Sequence, residues 1–234
     1  MDTRINKYLS EAGVCSRRAA DRLIEEKRVT IDGVLAQTGS RVFEGAVVCV
    51  AGKPIVKDAA EPVVIAFNKP AGIVCTAQKK EKNNVIDFIG YPKRIFPVGR
   101  LDKDSEGLLL LTNDGELMNR ILKASEQHEK EYVVTVDKEV TCDFLKRMEK
   151  GVPVLDRITA PCTTKKINSF SFRIILTQGL NRQIRRMCEY FGYHVVKLRR
   201  VRIMNIRLDG IKTGTYRELT KEERTKLYKA AGIL

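Results

Sequence analysis

Residues 107–111 read Gly-Leu-Leu-Leu-Leu, preceded by Gly-Arg-Leu-Asp-Lys-Asp-Ser-Glu and followed by Thr-Asn-Asp-Gly. An apolar run of this length between a charged loop and a turn signal is strand-sized. No stretch of the chain approaches the about 18 consecutive apolar residues of a membrane span. The segment predicts a buried strand ending in the turn Asn113-Asp114-Gly115, with the preceding loop held at the edge of a rigid sheet. A carboxylate in that loop, Asp102, would then be fixed in one orientation.

Further strand patterns fall at 63–67, 73–75, 131–136, 170–176 and 195–198, with helical patterns at 85–89, 117–122, 143–149 and 182–191. Thr220-Lys221-Glu222-Glu223 is a capping-box sequence that opens a last helix toward Leu234. Helices interspersed among strands, without strict alternation, predict an α+β domain on a mixed, largely antiparallel sheet flanked by helices. Ahead of it, helices at 2–13 and 17–28, a hairpin turning at Asp32-Gly33 and a strand at 47–50 make a small module. Residues 57–62 read as a linker, giving domains at 1–58 and 63–234.

Charge narrows the partner. The chain carries 43 Lys and Arg against 29 Asp and Glu, a formal charge of +14. The excess is uneven: residues 1–60 hold 10 basic and 8 acidic side chains, residues 182–207 hold 8 and 1. A cluster of this kind predicts a polyanionic partner, and nucleic acid is favoured over membrane because no basic amphipathic helix is present. With no signal-peptide pattern at the N-terminus, a cytoplasmic protein is expected.

The reactive residues narrow the chemistry. Six cysteines form no C-x-x-C pair, and the two histidines, His128 and His194, are not at ligand spacing from any of them. No metal site, no cofactor and no disulfide framework is expected. With so few histidines to act as base, catalysis is expected to run on carboxylates.

Arg4-Ile5-Asn6-Lys7-Tyr8-Leu9, Cys15-Ser16-Arg17-Arg18-Ala19-Ala20-Asp21-Arg22 and Val29-Thr30-Ile31-Asp32-Gly33 together resemble the S4 RNA-binding domain. The resemblance implies structured RNA as partner, met by Arg17, Arg18 and Arg22. Gly99-Arg100-Leu101-Asp102 resembles the active-site signature of the RsuA/RluA superfamily of pseudouridine synthases. Three further segments agree in order: Asn68-Lys69-Pro70-Ala71-Gly72, Lys130-Glu131-Tyr132, and Arg182-Gln183-Ile184-Arg185-Arg186-Met187. The S4 module and the late helix point to the RsuA branch, and His128–Tyr132 with Arg202–Asn205 to an enzyme of large-subunit ribosomal RNA.

This resemblance implies isomerisation of a uridine in 23S rRNA or a ribosomal assembly intermediate, after the base has been flipped out. It makes Asp102 the nucleophile, at C1′, at C6 or in an elimination, and Arg185 the guanidinium that pairs with it. Tyr132 would stack on the uracil, and Arg100 would fill the gap left by the base. Lys103 and Arg182 would meet neighbouring phosphates, Gln183 and Ile184 lie on the same late helix, and Ile184 with Leu198 would wall the pocket. Lys197 and Arg199 are expected on one strand face, Arg200 and Arg202 on the other, with only one set turned to RNA. A monomer is expected. Alternatives are a sister enzyme acting on 16S rRNA or tRNA, or a non-catalytic S4-type assembly factor.

Overall fold

The computed structural model describes residues 2–56, 62–78 and 80–234, so most of the expected linker, 57–61, lies outside the described residues. The chain divides into two units, Met1–Pro62 and Val63–Leu234.

In the first unit, helices Ile5–Glu11 and Arg17–Glu25 pack beside a four-stranded sheet ordered Val34–Leu35, Val29–Ile31, Val48–Val50, Lys53–Pro54. Ser16 caps the second helix by accepting from Ala19 N at 3.2 Å. Ile5, Leu9, Ala20, Ile24, Val29 and Val48 form the core. The first helix starts later than the sequence suggests. Thr3 and Arg4 are extended and pair with Val42 and Arg41, and neither Asp2 nor Thr3 caps it.

The second unit is built on β1 (Val64–Lys69), β2 (Glu106–Thr112), β3 (Lys130–Val136), β4 (Thr163–Asn168), β5 (Ser171–Leu176), β6 (Val195–Ile203) and β7 (Tyr216–Glu218). The sheet order is β4-β5-β3-β6-β2-β1-β7, with two short strands, Phe96–Pro97 and Ile206–Arg207, pairing at its sides. Neighbours are antiparallel except β6 and β2, which run parallel. The unit is thus α+β on a mixed, largely antiparallel sheet.

The leucine run forms the buried strand it implies, and the reason is cover on both faces. Leu109 and Leu111 pack with Ile65, Phe67 and the helix Val85–Ile89, whereas Leu108 and Leu110 pack with Ala66 and the helices Gly115–Leu122 and Lys221–Ala230. At about 1.5–3 kcal/mol for each fully buried leucine, this strand is a main anchor of the fold. Asp114 does not close a simple turn; its carboxylate accepts from Glu116 N and Leu117 N and caps the following helix.

Strands β3 and β5 alternate instead, because one face packs on the helices Cys142–Glu149 and Gln183–Tyr190 and the other, with Glu131, Thr135, Ser171 and Arg173 beside Val133 and Ile175, is more polar. Tyr132 packs against the cores on both sides of this junction. Residues 73–75, expected as a strand, make only an isolated bridge, Val74 to Asn84. Strand β4, Thr-Thr-Lys-Lys-Ile-Asn, lacks an apolar alternation and is defined by its pairing with β5.

Candidate active site

Strands β6 and β2 pair over only two residues, Arg199 with Glu106 and Arg200 with Gly107. Gly107 permits this approach: its φ is +102°, and a Cβ there would lie 2.3 Å from the Arg200 carbonyl oxygen. A cavity of about 260 Å³ lies at this junction, lined by Asp102, Tyr132, Arg182, Ile184, Leu198 and Arg200 among others.

The loop carrying Asp102 is fastened through its backbone. Leu101 is buried in the core beside Ile73 and Cys75, and its N–H meets Cys75 Sγ at 3.4 Å. Lys69, fully buried at the end of β1, donates its ammonium to the carbonyls of Pro70 (2.9 Å), Asp102 (3.3 Å), Lys103 (3.2 Å) and Ser105 (2.8 Å). Gly72 N donates to the Lys103 carbonyl at 2.8 Å. Burial pushes the Lys69 ammonium below the usual lysine range, against the opposing charges of Asp102 and Asp104. The backbone of Asp102 is therefore pinned, while its side chain keeps 32% of its surface open.

The guanidinium that approaches Asp102 belongs to Arg182, Nη1 to Oδ2 at 3.9 Å. Among the described residues Arg185 makes no ion pair with Asp102, which corrects the expected pairing. Its side chain is buried, Nη1 donates to the Val195 carbonyl at 2.9 Å, and it ties the helix Gln183–Tyr190 to β6. The helix places Ile184 on the cavity, and its next residue points about 100° further round. Arg182, the residue before this helix, has φ of +50°, which costs an arginine on the order of 1 kcal/mol, and its guanidinium lies on the carboxylate side.

Of the other expected residues, Arg100 and Gln183 line the cavity, the latter accepting from Leu180 N at 3.0 Å. Lys103 is exposed and contributes its carbonyl to the loop's fastening. Arg17, Arg18 and Arg22 are exposed on the first unit; Arg17 donates to Asn6 at 3.4 Å, and Arg18 and Arg22 have no ion pair among the described residues.

Strand β6 shifts register against β3 twice, at Val196 and at Val201, and the second shift breaks the expected alternation. Tyr132 pairs with Arg200 but Glu131 pairs with Arg202, so Val201 is an extra residue, a β-bulge. Arg200 consequently shares the cavity face with Leu198 and Tyr132. Arg202 lies on the opposite face, where it meets Glu131 (2.6 Å) and Glu129 (2.8 Å). Lys197 and Arg199 share that opposite face and meet Glu106 at 3.1 and 3.9 Å, so neither reaches the cavity. The sequence assigned no role at the site to Lys69 or Lys130 and offered Arg200 only as a candidate RNA-facing residue paired with Arg202; a buried lysine closing a mostly apolar strand was the available signal for the first.

Among the described residues that line the cavity, Asp102 is the one carboxylate, against five cations: Arg100, Lys123, Lys130, Arg182 and Arg200. Leu101, Ile184, Leu198 and the Tyr132 ring supply apolar and aromatic wall. Such a site suits a planar base attached to a polyanion, with one carboxylate beside it.

A family profile described as RNA pseudouridylate synthase matches residues 63–190, and the S4 domain profile matches residues 3–48. The chain is 56% identical over 97% of its length to the dual-specificity RNA pseudouridine synthase RluF of Salmonella typhi, covering 79% of that protein. It is 36% identical to ribosomal large subunit pseudouridine synthase B of Bacillus subtilis (strain 168), covering 96% of this chain and 95% of that one. A solved crystal structure of a pseudouridylate synthase superposes with a TM-score of 0.70 at 28% identity, over 96% of this chain and 99% of that one.

Proposed function

The chain belongs to the RNA pseudouridylate synthase family and carries an S4 domain, and we propose that it isomerises a uridine of large-subunit ribosomal RNA with Asp102 as nucleophile. The convergence of Asp102, Tyr132 and Arg182 on one cavity supports this reading most directly. The relatives named for RluF and for the large ribosomal subunit support the substrate, and the dual specificity in the first name supports a second RNA class beside it.

Pseudouridylation breaks the bond from uracil N1 to ribose C1′, turns the base and rejoins it through C5; no third molecule gains or loses atoms. Carboxylates are ionised at neutral pH, so what this reaction asks of the chain is position. The Lys69 cradle sets the Asp102 backbone, and Arg182 keeps a positive charge beside the carboxylate when RNA excludes water. The flipped uracil lies against Tyr132 between Ile184 and Leu198, and Arg100 stands at the mouth where the base has left its stack. Arg18 and Arg22 on the S4 unit meet phosphates of folded RNA, reading shape. Among the described residues no helix is long and apolar enough to cross a membrane, and a ribosomal substrate puts the reaction in the cytoplasm.

The test is a map of pseudouridines in ribosomal and transfer RNA from cells lacking the gene, restored with wild type or with Asp102→Ala. A position lost in large-subunit RNA and regained only with wild type is the expected result. A loss confined to small-subunit RNA or to tRNA assigns a sister specificity instead.

A further inference from the structure

Five buried side-chain polar atoms lack a hydrogen-bond partner among the described residues, and three of them belong to residues lining the Asp102 cavity: Ser105 Oγ, Gln178 Nε2 and Arg200 Nη2. Buried polar atoms are rarely left unpaired, and a cluster of them around one cavity points to a polar ligand that completes them.

Arg200 is the most demanding of the three. It is 3% exposed, its Nε donates to the Leu108 carbonyl at 2.7 Å, and its guanidinium carbon lies 6.0 Å from the Tyr132 ring centroid. No carboxylate among the described residues pairs with it. Glu106 is engaged by Lys197 and Arg199, and Glu131 by Arg173 and Arg202, on the other face of the sheet. Its charged neighbours Lys69 and Lys130 are cations, and its field helps to lower both, after burial, which is the larger cause. A desolvated cation without a counter-ion is unfavourable by itself. Two local devices nevertheless place it there, the bulge at Val201 and the missing Cβ at Gly107.

RNA brings negative charge of two kinds. Phosphates remain at the surface, where the exposed side chains of Arg100 and Lys123 suit them. The other charge exists only during the reaction, on the base, in the dry part of the cavity where Arg200 lies. We propose that Arg200 is the catalytic residue that takes the negative charge of the uracil when the C1′–N1 bond breaks.

The electron pair of that bond stays on the base, spread from N1 to the two carbonyl oxygens, while Asp102 meets the deficiency at C1′. After the base has turned, a pair from C5 forms the bond to C1′, the C5 proton leaves to solvent, and N1 gains a proton. Atoms and electrons balance with no other reactant. A fixed donor aimed at charge that develops in the transition state raises kcat and leaves KM little changed. This deepens the reading of the Asp102 site and rests on it.

The experiment compares single-turnover loss of N1-linked base in two transcripts of one ribosomal sequence, one made with uridine and one with 5-fluorouridine. Fluorine withdraws electrons and stabilises the anion of the base without help from the protein. Arg200→Met is expected to slow the uridine transcript about 100-fold with KM nearly unchanged, and the fluorinated one only about 10-fold. Equal losses on both, a loss confined to KM, or no loss would overturn the proposal. If Arg200→Met does not fold, Arg200→Lys and Arg200→Gln are read by the same ratio between transcripts. Asp102→Ala runs beside them: full activity in that variant would fault the reading of the site, whatever Arg200 does.

Discussion

Arg200 stands opposite Tyr132 across two hydrogen-bonded strands, its guanidinium carbon 6.0 Å from the ring centroid, while Arg202, two residues on, faces the other side of the sheet. One extra residue, Val201, produces this separation, and it gives two arginines of one strand different work. On the far face Glu131, with 5% of its side chain exposed, accepts from Arg173 at 2.8 Å and from Arg202 at 2.6 Å, binding β5, β3 and β6 together.

The two arginines should therefore separate stability from catalysis. Arg202→Ala removes one of the two guanidinium partners of the buried Glu131 carboxylate, leaving Arg173, and is expected to cost about 2 kcal/mol in urea denaturation. Its turnover per folded molecule should stay within about threefold of wild type, since a change on the far face of the sheet leaves the groups that meet the transition state intact. A selective drop in turnover would place Arg202 at the site after all.

Lys69 should show both effects at once. Lys69→Met leaves the carbonyls of Pro70, Asp102, Lys103 and Ser105 without their shared donor, expected to cost about 3 kcal/mol of stability. Movement of the Asp102 loop by about 1 Å would lower kcat roughly 100-fold. Denaturation and tritium-release assays on the same preparation check both; unchanged kcat would show that the loop holds its shape without the cradle.

Acid stability carries a marker at the last helix. Arg217 donates to both Glu223 oxygens at 2.7 Å and holds that carboxyl near a pKa of about 2, below the ordinary 4.5. A depressed carboxylate adds stability that is fully present above the unfolded value and is lost as pH falls through the folded one. Between pH 4.5 and about 2 the melting temperature of wild type should fall more steeply than that of Glu223→Gln. Parallel profiles would remove this pair from the acid limb.

The S4 unit should act through salt. Replacing Arg18 and Arg22 by Gln is expected to weaken RNA binding and flatten the plot of log affinity against log salt by about 1 for each phosphate no longer neutralised. Catalytic turnover at saturating RNA should not change. An unaltered slope would mean that these side chains do not reach RNA.

The leucine run was legible because both of its faces are covered, which removes any need for alternation, and its flanking signals fixed its ends. The capping box at Thr220 was legible for a local reason: Thr220 and Glu223 satisfy each other's backbone donors within one turn. What escaped the sequence depends on pairing between distant strands. Strand β4 has no apolar face of its own, and the bulge in β6 is set by its register against β3. That Arg182 and not Arg185 comes within 3.9 Å of Asp102 escaped for a related reason, because Arg182 has a left-handed backbone that no spacing rule anticipates.

On this reading the Asp102 carboxylate performs the chemistry. This is tested by release of tritium from RNA labelled at uracil C5, with Asp102→Ala and Asp102→Asn beside wild type at equal folded concentration. At least about a 1,000-fold drop in both variants, with RNA binding retained, is the expected result. Release from either variant at the wild-type rate would contradict it.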